Sequence, residues 1–404
     1  MAVGSDALPE LHAIAGVQIA IGSAGIKKPG RKDLVLFELA EGSATAAVFT
    51  QNRFCAAPVR VAREHLASIA PRYLLINTGN ANAGTGERGM QAARRSCEAV
   101  AELTACKPGE VLPFSTGVIG ETLPLAKIEA ALPSLPGLLG EGNWLDAAKG
   151  IMTTDTRPKA YSVKVPGTPF TVTGISKGAG MIKPNMATML GFVATDAPVA
   201  APLLQRMLSD IAERSFNRIT VDGDTSTNDA CVLVATGKAG GELIDSESAS
   251  HYRALQAALQ ETFVALAQAI VRDGEGATKF VSVVVEGGAN KPECLKAAFT
   301  VAESPLVKTA LFASDPNWGR ILAALGRAGI DDLDVDKVSV SINDVIVAEA
   351  GGLAESYTEA AGQSAMAPEE LTIRINLARG EAVETVWTTD FSHDYVSINA
   401  SYRS

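Results

Sequence analysis

Apolar residues along this chain recur with two periods, and the switches between them predict its elements. The runs VQIAIGSAG from Val17, DLVLFELA from Asp33 and ATAAVFT from Ala44 read as three strands separated by Lys-Pro-Gly and Glu-Gly turns, the beginnings of one sheet. AAPVRVA then leads to a short helix expected from Arg63 to Ala70, followed by the buried strand YLLINTG. A Gly/Asn loop from Asn80 to Gly89 enters a helix from Met90 to Leu103, and VLPFSTGVIGETLP from Val111 is a further strand running into a Gly-rich turn. An Ala/Leu-rich helical region precedes the strands YSVKV and PFTVTGI, and a glycine-rich loop leads to the β-rich run TMLGFVATD. Leu203, Leu204, Met207, Leu208 and Ile211 fit one helical face, as do Leu255, Leu259, Phe263, Leu266 and Ile270. The C-terminal part has the strong strand in KFVSVVVEG, short strands near VSVSINDVIV, and a final strand pair around LTIRINL and ETVWTTD. The fold class is α/β (α+β), and 404 residues suffice for two domains or one large intertwined unit.

Composition narrows the class further. With 47% apolar and 20% charged residues the chain is globular, and no apolar run approaches the ~18 residues of a spanning helix. AIAGVQIAIGSAGI from Ala13 is interrupted by Gln and Gly and lacks a preceding basic segment. It reads as strand and turn, not as a secretory signal, and a cytoplasmic location is expected. Five cysteines (Cys55, Cys97, Cys106, Cys231, Cys294) and four histidines (His12, His65, His251, His393) form neither CxxC nor HExxH. No disulfide framework, metal or cofactor is therefore expected. The net charge of -10 argues against nucleic acid or an anionic membrane as partner and favours cationic small molecules. NANAGTGERG lacks the glycine order of a nucleotide loop and reads as a tight strand-to-helix turn. DGDTSTND lacks the twelfth-position glutamate of a calcium loop, and it reads as a structural loop.

The stretch with most chemistry is KGAGMIKPNMATML, Lys177 to Leu190. Two glycines and Pro184 give the loop an unusual path, and Thr188 opens the strand behind it. A threonine there can attack the carbonyl of Ala187 to give an ester that water opens. The α-amine so released, with a pKa of about 8, can serve as base to the hydroxyl beside it. The β-branch limits the directions of that hydroxyl. The plainer reading is a structural threonine at a loop-to-strand junction. Elsewhere, Ser115, Thr116 and Gly117 can present a hydroxyl and a backbone N–H in one direction, or form an ordinary turn. Thr153, Thr154 and Asp155 read by default as a capping turn, Glu275 between two glycines as a solvated side chain, and Asn399 to Ser404 as a frayed end.

KGAGMIKPNMATML resembles the cleavage segment of the ornithine acetyltransferase (ArgJ) family, also called glutamate N-acetyltransferases, of arginine biosynthesis. STG, MTTD, KGAGM, MATML, STND, DGEG, VKTALF, DPNWGR and the Asn near the end occur in the family's order over essentially the whole chain. Pro184-Asn185 and the terminal Ser404 are minor departures. The resemblance implies a layered α/β/β/α sandwich of the self-cleaving N-terminal-nucleophile type. Cleavage between Ala187 and Thr188 would give an α chain of residues 1–187 and a β chain of 188–404, intertwined and assembled as a heterotetramer of two α and two β chains. It implies acetyl transfer from N2-acetyl-L-ornithine to L-glutamate through acetyl-Thr188, with Thr116 and Gly117 as the oxyanion hole. Thr153, Lys177, Thr188, Glu275, Asn399 and Ser404 would contact substrate, with Thr154 the alternative to Thr153. No cofactor or metal is implied, and acetyl-CoA stays open as a co-substrate. Two other readings are an N-terminal-nucleophile aminopeptidase of related fold, which would hydrolyse peptides, and a non-catalytic amino-acid-binding protein, which would leave the chain uncut.

Overall fold

The structure is a computed structural model and describes residues 2–5, 7–183 and 189–400. Strands β1 (Val17–Gly22), β2 (Leu34–Leu39), β3 (Ala44–Phe49), β4 (Tyr73–Asn80) and β5 (Val111–Val118) come from the N-terminal part. They are followed by β6 (Lys159–Lys164), β7 (Thr171–Lys177), β8 (Leu190–Thr195) and β9 (Ala230–Ala235). The remainder are β10 (Phe280–Gly288), β11 (Ser339–Ile342), β12 (Val345–Glu349), β13 (Gly352–Leu353), β14 (Glu370–Asn376) and β15 (Ala382–Thr389). Among the described residues they form sheets of order β1-β2-β4-β5, β3-β9-β8-β7-β6 and β13-β12-β11-β14-β10-β15.

The period-2 pattern decides how the first two sheets stack. In β8, Leu190, Phe192 and Ala194 point into the space between the sheets, whereas Val193 points to the outer face. In β9, Ala230, Val232 and Val234 point inward, and Cys231, Leu233 and Ala235 outward. Val35, Phe37 and Leu39 of β2 meet them from the opposing sheet, with Leu34 and Leu36 turned to that sheet's other side. Phe192 stacks on Phe37 at 5.5 Å and meets Phe114 edge-on at 5.2 Å, a cluster that locks the two sheets face to face. Helices Ala201–Glu213 and Tyr252–Arg272 cover the outer face of the five-stranded sheet. Helices Ala57–Ser68 and Gly86–Thr104 cover that of the four-stranded sheet. The result is the expected α/β/β/α sandwich. Tyr252–Arg272 has the length and apolarity of a spanning segment, yet Leu255, Leu259, Phe263, Leu266 and Ile270 are all in the core.

Four sequence expectations are corrected. The first three strands do not share a sheet: β3 leaves its neighbours and pairs antiparallel with β9, because its inward Ala47 and Phe49 and outward Ala46 and Val48 suit a strand buried on both faces. The first helix begins at Ala57 instead of Arg63, since Pro58 falls in its first turn, where a missing N–H costs nothing. The second begins at Gly86 instead of Met90. Finally, β14 and β15 are not partners. Between them lies β10, parallel to β14 and antiparallel to β15, whose Val281, Val283 and Val285 make it the natural interior strand of the third sheet. The crossing is possible because Leu377, Arg379 and Gly380 donate to the carbonyls of Glu286 and Gly287 around the end of β10. A helix, His393–Ala400, follows β15 and was not anticipated.

Candidate active site

Strands β4 and β5 run parallel, so their C-terminal ends emerge together, and the end of β7 reaches the same place from the other sheet. At the end of β5, Gly117 has φ +137, and a Cβ added to it would lie 2.3 Å from the carbonyl carbon of Gly79. Only glycine fits there. Thr116 beside it is buried, and its Oγ1 accepts a hydrogen bond of 3.1 Å from the Nζ of Lys177, the last residue of β7.

Behind these residues lies a buried ionic cluster. The Nζ of Lys159 sits 2.6 Å from both an Asp155 and an Asp273 carboxylate oxygen, with all three side chains at most 1% exposed. Each carboxylate also takes backbone donors. Asp155 accepts from the N–H of Thr153 at 2.9 Å and of Gly178 at 2.7 Å, and Asp273 accepts from the N–H of Thr156 at 3.0 Å and from its hydroxyl. One cluster thereby fixes three segments far apart in sequence, namely the Thr153 turn, the end of β7 and the turn carrying Glu275. Burial alone would push the Asp155 carboxyl up, but Lys159 and Lys177 beside it prevail and hold it well below the usual carboxylate range. Burial pushes the Lys177 ammonium down, against the pull of Asp155 in the other direction.

Glu275 is held from two sides. Its N–H donates to the Ala179 carbonyl at 2.9 Å, and its Oε2 accepts from Asn399 Nδ2 at 2.8 Å. A Cβ on Gly180 would collide with the Glu275 carboxyl group at 2.4 Å, so the second glycine of KGAGM exists to let that carboxylate lie against the backbone. Gly276, at φ +69, leaves room for the backbone of Tyr395 and brings the C-terminal helix over the site.

These residues converge on one cavity of ≈ 250 Å³, lined by Thr116, Gly117, Thr153, Thr154, Lys177, Gly180, Glu275 and Asn399. Ser226, Thr227 and Asn228 complete its wall. Asn228 donates to the carbonyls of Ala81 at 2.6 Å and Ser115 at 2.9 Å, bracing the strand end that carries Thr116. From sequence this segment reads only as a structural loop. Its polar run STND beside a buried strand was the available signal for more. Both Thr153 and Thr154 face the cavity. Ala187, Thr188 and Ser404 lie outside the described residues.

The described chain on either side of 184–188 is tightly fixed. The Ile182 carbonyl accepts from Val221 N–H at 2.7 Å, the Lys183 carbonyl from the Thr225 hydroxyl at 3.0 Å, and the Met189 carbonyl from Ala230 N–H at 3.0 Å. Asp222 accepts from the N–H groups of Met181 at 2.6 Å and Ile182 at 2.9 Å. Met181, without being glycine, has φ +55, a conformation the two Asp222 bonds help to hold. Met189 itself lines a small recess with Thr116, Lys177, Gly180 and Asn228. The arrangement offers a hydroxyl with a cation behind it and an acid opposite, with Ile182 and Met189 in the wall of the adjoining recess.

A family model described as the ArgJ family matches residues 18–404. The chain is 59% identical to the arginine biosynthesis bifunctional protein ArgJ of Pseudomonas fluorescens (strain Pf0-1) over 406 residues, with all of both chains covered. It is 58% identical to the protein of the same name from Psychrobacter arcticus (strain DSM 17307 / VKM B-2377 / 273-4), again over all of both chains. Among solved structures, the arginine biosynthesis bifunctional protein ArgJ of Bacillus halodurans superposes with a TM-score of 0.50 at 38% identity. That match covers 52% of this chain and 98% of the other.

Proposed function

The chain belongs to the ArgJ family and is an acyltransferase of arginine biosynthesis, and from that premise we propose how its residues carry the reaction. It moves acetyl from N2-acetyl-L-ornithine to L-glutamate, giving L-ornithine and N-acetyl-L-glutamate, by way of an ester on Thr188. Self-cleavage between Ala187 and Thr188 comes first and leaves an α chain, 1–187, and a β chain, 188–404. The observation that carries this reading is that Ile182 and Met189, on either side of the Ala187–Thr188 bond in sequence and each hydrogen-bonded in place, line one recess with Thr116 and Lys177. The Bacillus halodurans ArgJ chain, matched almost entirely by about half of this one, supports a break near the middle.

In the transfer, the Thr188 hydroxyl adds to the acetyl carbonyl while its own α-amine takes the proton. The C–N bond to ornithine then breaks, and the proton returns to the leaving amine. The amine of glutamate repeats the steps in reverse on the ester, restoring the free threonine. Because the Lys177 ammonium can only donate, its bond to Thr116 Oγ1 turns the Thr116 hydrogen outward, where it and the Gly117 N–H can meet the oxyanion. Glu275, positioned by Asn399, suits a free amine of the amino-acid substrates, the side-chain ammonium of acetylornithine or the α-amine of glutamate, and Lys177 suits a carboxylate. Thr153 or Thr154, Asn399 and Ser404 complete the pocket. The processed enzyme is a cytoplasmic heterotetramer of two α and two β chains acting on small amino acids, with acetyl-CoA as a second acetyl donor to glutamate. The word bifunctional in the relatives' name supports that second activity.

A covalent ester requires ping-pong kinetics. Initial rates with both amino acids varied should give parallel double-reciprocal lines, and intersecting lines would rule out the ester.

A further inference from the structure

A second cavity, also ≈ 250 Å³, shares the wall formed by Gly117, Val118, Thr153 and Thr154 with the one just described, and it is lined on its far side by Lys27, Lys28 and Arg31. Three cations around one recess run against the net charge of -10 of the chain. None of them forms a salt bridge among the described residues, and all three are exposed.

The loop that carries them is built, not loose. Both carboxylate oxygens of the buried Asp33 accept backbone N–H groups at 2.6 Å, from Ala24 and from Ile26, which occupies the one acidic group in the recess. Lys127 Nζ donates to the Gly25 carbonyl at 2.7 Å, clamping the loop from outside. Gly79 lets it approach, since an added Cβ there would lie 3.2 Å from that of Lys27. Arg31 donates to the Met152 carbonyl at 2.6 Å and so ties the cationic loop to the shared Thr153–Thr154 wall.

We propose that this recess is a subsite for a multiply charged oxyanion at the far end of a substrate whose reacting end lies in the acyl-transfer cavity. It rests on the acyl-transfer reading in that the two cavities then hold two ends of one molecule. Three cations exceed what a single carboxylate needs and suit phosphate groups, which accept several charged donors at once. A phosphate-bearing thioester that donates acetyl has this chemistry.

The test uses the processed full-length protein and the double variant Lys27→Ala, Lys28→Ala, whose changes fall on exposed side chains outside any strand and keep the Lys27 Cβ. Calorimetric titration with inorganic pyrophosphate should show saturable binding to the parent protein, weakened about tenfold or more in the variant. Absent binding, or binding of equal strength in both, overturns the proposal. In kinetics, the KM for the oxyanion-bearing substrate should rise about tenfold while that for N2-acetyl-L-ornithine changes less than about twofold. A rise for acetyl-CoA supports the proposal, and a rise for L-glutamate alone, a single carboxylate, overturns it. Equal KM values for every substrate overturn the proposal. Pyrophosphate binding that is lost in the variant of a protein without transferase activity would retain the subsite and reject the acyl-transfer reading.

Discussion

At the scale of single residues, the site depends on glycines as much as on reactive groups. Gly117→Ala forces a Cβ into the Gly79 backbone at a φ that L-residues rarely adopt, and should cost at least about 3 kcal/mol of stability, read as a lower urea midpoint. Thr116→Val keeps the shape and removes only the hydroxyl. It should leave that midpoint within about 1 kcal/mol and lower the acetyl-transfer rate by about 10²–10³-fold. Equal turnover in Thr116→Val would remove Thr116 from the oxyanion site. Glu275→Gln removes the charge opposed to the substrate amine and should weaken both amino acids by about 2–5 kcal/mol while sparing cleavage, with KM values for both as the readout. The sequence made Thr116, Gly117 and Glu275 legible only through their motifs, because STG and DGEG alone also describe ordinary turns. What made Gly180 necessary, the carboxylate of a residue 95 positions later resting on it, has no local signature.

Elements were legible where a period ran undisturbed, and partners were not. The continuous apolar runs of β8 and β9 predict buried strands, but such runs match several possible neighbours, so the move of β3 to a second sheet and the insertion of β10 between β14 and β15 were invisible. The Asp155–Lys159–Asp273 cluster was missed for the same reason, because Asp273 lies 114 positions beyond Lys159. Asp273→Asn leaves Lys159 poorly compensated and should cost about 3–5 kcal/mol in denaturant unfolding. The helix Pro305–Phe312 gives a pH-dependent test. Its Lys308, fully buried, donates to the Thr388 hydroxyl at 3.0 Å and to the Thr389 carbonyl, and lies 4.6 Å from the Phe391 ring centroid. Burial pushes its pKa down to about 7, against the pull of Asp390, Asp222 and Glu303 upward. Unfolded, the same group titrates near 10.4, so between these values the unfolded chain binds more protons and stability rises with pH. Denaturant midpoints should therefore increase from pH 7 to pH 9, and Lys308→Met should flatten that part of the profile. An identical slope in the variant would place the dependence elsewhere.

For the molecule as a whole, the α/β/β/α sandwich explains why a cut between β7 and β8 need not release either product. β7 pairs with β8 along Val172–Lys177 and Leu190–Thr195, so the two sides of the break are neighbours in one sheet and share both cores. Cleaved protein should therefore run as one species under native conditions and as two chains on a denaturing gel, whereas Thr188→Ala should remain one chain and lack transfer. The most direct test is the mass of the denatured chains after freshly purified enzyme meets N2-acetyl-L-ornithine without glutamate. The expected result is a chain beginning at Thr188 that carries one acetyl group on that threonine and loses it when L-glutamate is added. An uncut chain, or a cut chain that never carries the acetyl group while ornithine is released, would contradict it.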